Sequence, residues 1–269
     1  MYSLPSEPGS IGHTLDAGFK LYVVSFKQVY VLGILAAISL TVPLHVLVLA
    51  AGTSAEVEAG PGAAMIATLV VGFIACMLLY MCFYLAIICR VGGIAYGQSL
   101  PMGACMATGL RRLPTVIVAT ILYSLAIMGG FLVLIVPGLI LWVSLIFYTF
   151  CIILEGDGIL ESLRHSHRLV WGNWWRTFVI CSVFFIVYYV IYLAIQVPFL
   201  IVDQITFDTE LGAMPGLGQT MLSMVGDTVA TVITFPLMAS VFVAVFHDLK
   251  LRKEGQDLEA RVEALTASA

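Results

Sequence analysis

Residues 114 to 154 read PTVIVATILYSLAIMGGFLVLIVPGLILWVSLIFYTFCIIL, 41 residues without a charged side chain. A bilayer core about 30 Å thick is crossed by about 20 apolar helical residues, so this block has the length of two spans. Proline is accepted in the first turn of a helix and not in its interior. Val136-Pro137-Gly138 therefore divides the block into spans over 114–135 and 138–154 joined by a tight turn, with Gly129-Gly130 as a second place where the chain can reverse. Outward from this block lie four further apolar runs, at 26–51, 63–89, 174–200 and 222–246.

Composition agrees with the runs. The chain has 269 residues, 61% of them apolar and 10% charged, and a mean hydropathy of +1.06. A soluble domain carries about 45–50% apolar and about 25% charged residues. These proportions exclude a nucleic-acid binder, a disordered scaffold and a disulfide-stapled mini-protein. The predicted class is all-α: a polytopic membrane protein with six transmembrane helices, forming one integral membrane domain over 1–269.

Sidedness follows from charge. Twelve Lys and Arg stand against sixteen Asp and Glu, a formal net charge of -4. Lys20 and Lys27 precede the first run. Arg90, Arg111 and Arg112 lie between the second and third. Arg164, Arg168 and Arg176 lie between the fourth and fifth. Lys250, Arg252, Lys253 and Arg261 follow the sixth. With six spans every basic residue falls on one face, while the opposite loops carry only Glu56, Glu58, Asp203, Asp208 and Glu210. Basic residues mark the cytoplasmic side, which predicts cytoplasmic N and C termini in a bacterial inner (plasma) membrane. The first run, opening near residue 26 behind a mostly polar leader, is too long for a signal peptide and is read as a span.

Each pair of spans follows a short amphipathic segment, which predicts three cytoplasmic interfacial helices. The stripes are Ile11, Leu15, Phe19, Val23 and Phe26; then Met102, Met106, Leu110 and Leu113; then Ile159, Leu163 and Val170, with Glu161, Arg164, His165 and Arg168 facing away. Ser25, Pro114 and Gly172-Asn173 punctuate the three segments before their spans. IGHTLDAGFKL at 11–21 aligns without gaps on ILESLRHSHRL at 159–169. The pattern suggests helix-plus-hairpin repeats over 10–89, 99–154 and 157–246, with a cytoplasmic tail at 247–269.

The segment VPGLILWVSLIFYTFCIILEGDGILESLRHSHRLVWGNWW at 136–175 resembles the YciC-like family of bacterial inner-membrane proteins. It also resembles the membrane domain of membrane-anchored glycerophosphoryl diester phosphodiesterases. The tail VFHDLKLRKEGQDLEARV at 245–262 is similar to the end of the second group, and TLDAGFKLY at 14–22 to the start of both. The resemblance implies a multi-span membrane protein. The phosphodiesterase activity of the second group resides in a separate soluble domain, which this chain has no room for, and it is not carried over.

Headgroup recognition is the chemistry the residues favour. Arg164, Arg168, Arg176, Arg111 and Arg112 are placed to attract anionic lipid phosphates, at about 1 kcal/mol each. Trp171, Trp174 and Trp175 are placed at headgroup level. Three polar residues interrupt the spans: Asp227, Gln196 and His45. An intramembrane carboxylate is by default a proton or cation site, and Pro43, Pro198 and Pro236 are candidate kinks. Asp157 reads as an N-cap with Glu161 in the first turn. The cysteines Cys76, Cys82, Cys89, Cys105, Cys151 and Cys181 include no C-x-x-C pair, so no disulfide framework, zinc site or cofactor is expected. The expected function is a non-enzymatic one, lipid-associated or scaffolding in envelope maintenance, with membrane lipids and other membrane proteins as partners. The alternatives are a small-molecule or lipid transporter built from repeated hairpins, and a membrane-bound hydrolase using Glu161 and His165.

Overall fold

The computed structural model describes residues 4–55, 63–98, 100–207 and 215–267, with the backbone alone at 51–55, 63 and 256–267. Glu56, Glu58, Asp208 and Glu210 of the acidic loops, and the side chain of Arg261, lie outside the described residues.

All regular structure among the described residues is helical. The order is α1 (Ile11–Ala55), α2 (Ala63–Ala95), α3 (Met102–Val133), α4 (Ile135–Leu145), the single turn α5 (Tyr148–Phe150), a π-turn at Cys151–Glu155, α6 (Ile159–Val170), α7 (Trp174–Thr206) and α8 (Leu217–Ala267). Six segments are long and apolar enough to cross a membrane: Ile11–Ala50, Ala64–Ala95, Met102–Val133, Ile135–Glu155, Trp174–Thr206 and Leu217–Gly255. The six runs read from the sequence fall on these segments.

Helix α8 is the most buried of the six and forms the axis of the bundle, with α1, α2 and α7 packed on it. Every residue from Val241 to Phe246 is buried. Phe242 meets Phe147, Phe150, Phe184 and Phe185 with ring centroids 5.6–6.1 Å apart, offset and edge-on. Such pairs contribute about 0.5–1.5 kcal/mol each beyond their buried area. On the other side α1 lies directly against α8. A Cβ on Gly18 would stand 2.8 Å from Val241 Cα, so glycine sets the closeness of the two backbones. Ser25 and Ser240 share a hydrogen bond of 3.3 Å across this interface, and Thr41 and Thr228 one of 2.9 Å.

Only the third amphipathic segment is a separate helix. The first and second continue without a break into their spans, as parts of α1 and α3. Ser25 and Pro114 are interior residues of those helices. Nothing at either place removes the helical hydrogen bonds of its neighbours for long enough to end the helix. The buried faces are also turned relative to the apolar stripes. In α1 the residues packed on α8 include Thr14, Ala17 and Leu21, while Val23 is 71% exposed. In α3 the buried residues include Cys105, Gly109 and Val116, with Gly109 set against Cys82 and Ala86 of α2, while Leu110 is 64% exposed. Small residues, not large ones, mark the faces where backbones approach, as is usual between helices in lipid.

The α3–α4 reversal falls at Leu134, an extended residue, with Pro137 in the first turn of α4. Gly130 and Gly138 bring the two arms together: a Cβ on Gly130 would lie 2.8 Å from Gly138 Cα. The span that follows is interrupted after Leu145. Ser166 of α6 repairs the interruption, accepting from the Phe147 N–H at 3.1 Å and donating to the Ser144 carbonyl at 2.9 Å. The bridge gives the buried Ser166 hydroxyl both its partners, while the buried Ser162 hydroxyl bonds the Ile159 carbonyl of its own helix. An unpaired backbone group buried here would cost about 1–3 kcal/mol.

Candidate functional site

The corner between α6 and α7 carries the tryptophans and the nearest arginine. The chain leaves α6 at Trp171, whose N–H donates to the His167 carbonyl at 2.9 Å. It turns through Gly172 at φ 96°, a left-handed value that favours glycine. Asn173 opens α7 as its N-cap by position. Its backbone carbonyl accepts from Thr177 N at 3.0 Å, but its side chain makes no capping bond. Trp174 stacks on Phe178 at 5.4 Å, and its indole N–H donates to the Ile140 carbonyl of α4 at 3.3 Å. Trp175 stands edge-on to Trp174 at 4.8 Å and is 73% exposed.

Between this corner and the start of α4 runs a crevice of ≈ 680 Å³, lined by Val136, Leu139, Ile140, Trp171, Gly172, Asn173, Trp174, Trp175 and Arg176. The size is that of a small-molecule site, and the walls are almost wholly apolar. Two donors lie beneath its floor. Asn173 Nδ2 and Arg176 Nε are buried and have no hydrogen-bond acceptor among the described residues.

Among the described residues the other bonds of Arg176 are made by Nη2. Its Nη2 donates to the Gly9 carbonyl at 2.8 Å, to Thr14 Oγ1 at 3.2 Å and to Asp248 Oδ2 at 3.1 Å. Asp248 is 6% exposed and also accepts from Arg252 Nε at 3.0 Å and from Gly9 N at 3.0 Å. Two guanidinium groups therefore share one carboxylate, which leaves a net positive charge below the crevice. This cluster ties the starts of α1 and α7 to the end of the apolar part of α8.

The eight headgroup residues read from the sequence fall in three places. Trp171, Trp174, Trp175 and Arg176 line the crevice. Arg164 and Arg168 are exposed on the other side of α6, where they border a shallow groove with Leu141, Leu145 and Leu160. Arg111 and Arg112 belong to α3, with Arg112 facing the turn at Gly156. Asp157 does not cap α6; Gly158 holds that position, and Asp157 accepts instead from His165 Nδ1 at 2.6 Å. Cys151 joins this pair as a group whose potential ligand atoms lie within 4.8 Å of one another. His165 is thus committed to Asp157, and Glu161 takes no part in the pairing.

The three polar residues that interrupt the apolar runs, His45, Gln196 and Asp227, meet at the opposite end of the bundle. Tyr192 OH donates to Asp227 Oδ1 at 2.9 Å, and Gln196 Nε2 donates both to the same oxygen and to Tyr192 OH at 3.0 Å. His45 Nε2 lies 3.5 Å from Asp227 Oδ2, while its Nδ1 is 2.8 Å from the Thr41 carbonyl. Beside them is a cavity of ≈ 160 Å³ that also meets Asp203, Gln219 and Ser223. Tyr192 escaped sequence reading because a tyrosine in a run of aromatics looks like packing. Asp248 had a usable signal, as an acid closing a long apolar run. Asn173 was visible as a cap and not as an idle donor.

No curated protein and no solved structure matches the chain. Residues 78–249, from the second half of α2 to the end of the apolar part of α8, match the model of a family described as "Domain of unknown function (DUF7847)". With more than half of its length matched, the chain belongs to that family.

Proposed function

We propose that this protein is a non-enzymatic, lipid-binding protein of the bacterial inner membrane, with both termini cytoplasmic. Its ligand is a phospholipid of the leaflet at the basic end. An acyl chain lies along Val136, Leu139 and Ile140 between the indoles of Trp171 and Trp175. A phosphate or ester oxygen takes the Asn173 Nδ2 donor, over the net positive charge of the Arg176–Asp248–Arg252 cluster. The observation that carries the reading is the pair of buried donors without acceptors among the described residues beside a largely apolar crevice. Buried polar groups are nearly always bonded, so an idle donor calls for a partner. Arg164 and Arg168 add a diffuse attraction for anionic headgroups along α6.

Three of the four tryptophans line the crevice, so intrinsic fluorescence reports its occupant. In nanodiscs, brominated phosphatidylglycerol is expected to quench more strongly than brominated phosphatidylcholine at equal content. Equal quenching by the two lipids overturns the reading.

A second reading, a small-molecule transporter, draws on the convergence of His45, Tyr192, Gln196 and Asp227. A carboxylate held at the far end of the spans is a proton or cation site by default. Flux of an identified substrate unchanged by Asp227→Asn removes this support.

A further inference from the structure

Helices α3 and α4 have the length and composition of spans, and their contacts set how deep they go. The Trp174 indole bonds the Ile140 carbonyl at 3.3 Å. Trp174 opens α7, two residues before Arg176, which is tied to Gly9 ahead of α1 and to Asp248 at the end of α8. The middle of α4 therefore sits one side chain away from the basic end of the bundle. From Ile140 to the reversal at Leu134 is six residues, about 9 Å of helix. The hydrocarbon core is about 30 Å thick. Helix α7 uses 33 residues to reach the other end, about 50 Å, and the α3–α4 tip stops far short of it.

The chemistry of the tip agrees. Phe131, Leu132, Val133, Leu134, Ile135 and Val136 are consecutive, apolar and exposed, Leu132 by 80% and Ile135 by 75%. No polar side chain lies between Gly129 and Gly138. A turn that emerged into water would leave this whole surface wet. Part of the backbone at the turn is bonded within the hairpin, as hydrocarbon favours. Leu134 is the one non-helical residue. Its N–H donates to Gly130 O at 3.0 Å, its carbonyl accepts from Gly138 N at 3.4 Å, and Pro137 has no N–H to satisfy.

We propose that the α3–α4 hairpin is re-entrant. It enters the leaflet at the basic end, turns at Leu134 among the acyl chains, and returns to the same side. The partner of the apolar tip is the hydrocarbon of that leaflet. The remaining four segments cross fully, an even number that leaves both termini on one side. The inference goes beyond the crevice reading and is independent of its ligand, since the depth of Leu134 is read whether or not a lipid occupies the crevice.

The test is single-cysteine accessibility in cells with a membrane-impermeant maleimide, before and after permeabilisation, against the unsubstituted protein as baseline. Leu217→Cys, exposed at the far end of α8, reports that face. Leu134→Cys is expected to stay at baseline in both conditions. A nitroxide attached to it in proteoliposomes is expected to be relaxed by oxygen and shielded from a water-soluble nickel complex. Modification of Leu134→Cys under the condition that modifies Leu217→Cys means that the hairpin emerges, and overturns the proposal. Modification under the opposite condition places the tip in water at the basic end, and also overturns it. Ile135→Cys, also exposed, repeats the measurement at a second position should Leu134→Cys fail to accumulate.

Discussion

Replacing Asp248 with asparagine keeps the shape of the side chain and removes the charge that two arginines share. Asp248 accepts from Arg176 at 3.1 Å, Arg252 at 3.0 Å and Gly9 N at 3.0 Å, and its side chain is 7% exposed. The arginine side chains are 18% and 25% exposed, so water replaces little of what is lost. Removing one partner of a buried pair costs about 3–5 kcal/mol. Each guanidinium keeps the Gly9 carbonyl as an acceptor, which places Asp248→Asn at the lower end, about 3 kcal/mol. That is roughly a hundredfold in the folding equilibrium. The assay is reversible unfolding in mixed micelles with increasing SDS. Combining Asp248→Asn with Arg176→Met should cost less than the sum of the two single changes, as expected of groups in one network. Lys20 and Asp16 form a pair that is 63% and 53% exposed, and Asp16→Asn should change stability by no more than about 0.5 kcal/mol. A loss below about 1 kcal/mol for Asp248→Asn, or strict additivity with Arg176→Met, refutes a buried, shared carboxylate.

Other outcomes can be checked in the same preparations. Gly18→Leu meets the α8 backbone at Val241 and should destabilise by about 3 kcal/mol or more, whereas Gly72→Leu, with open space around its Cβ, should be close to neutral. Ser166→Ala leaves Phe147 N and the Ser144 carbonyl without their bridge and should cost about 1–3 kcal/mol, with faster hydrogen exchange at the Phe147 amide as its local signature. Trp175→Ala removes an exposed ring from the crevice wall; quenching by brominated phosphatidylglycerol should fall while unfolding in SDS stays within about 0.5 kcal/mol of the parent.

Much of the architecture was legible because hydrophobic length is a signal carried by long stretches. The 41-residue block divides within a few residues of Leu134, where Pro137 sits in the first turn of α4, although Pro43, Pro114, Pro198 and Pro236 are carried inside helices. The faces were legible in part: Ile11, Leu15, Phe19, Met102, Met106 and Leu113 of the stripes pack against the core, Val23 and Leu110 face outward, and the small residues Ala17, Cys105 and Gly109 are the more deeply buried. Ser166 is buried where the chain breaks opposite it between α4 and α5. That break has no sequence signature stronger than a serine. The site was half visible. Trp171, Trp174, Trp175 and Arg176 were grouped by proximity in the chain, but their counterwall, Val136, Leu139 and Ile140, reads as ordinary span. Likewise Asp227, Gln196 and His45 were each noticed as polar residues in apolar runs, and their meeting depends on the antiparallel register of α1, α7 and α8.

Lipid retained through purification tests the crevice most directly. Native mass spectrometry after extensive washing in a mild detergent should find the unsubstituted protein carrying one phospholipid, and Asn173→Leu, which removes the idle donor and narrows the floor, carrying none. The same lipid retained at the same occupancy by both proteins, or by neither, would contradict a phospholipid held at Asn173.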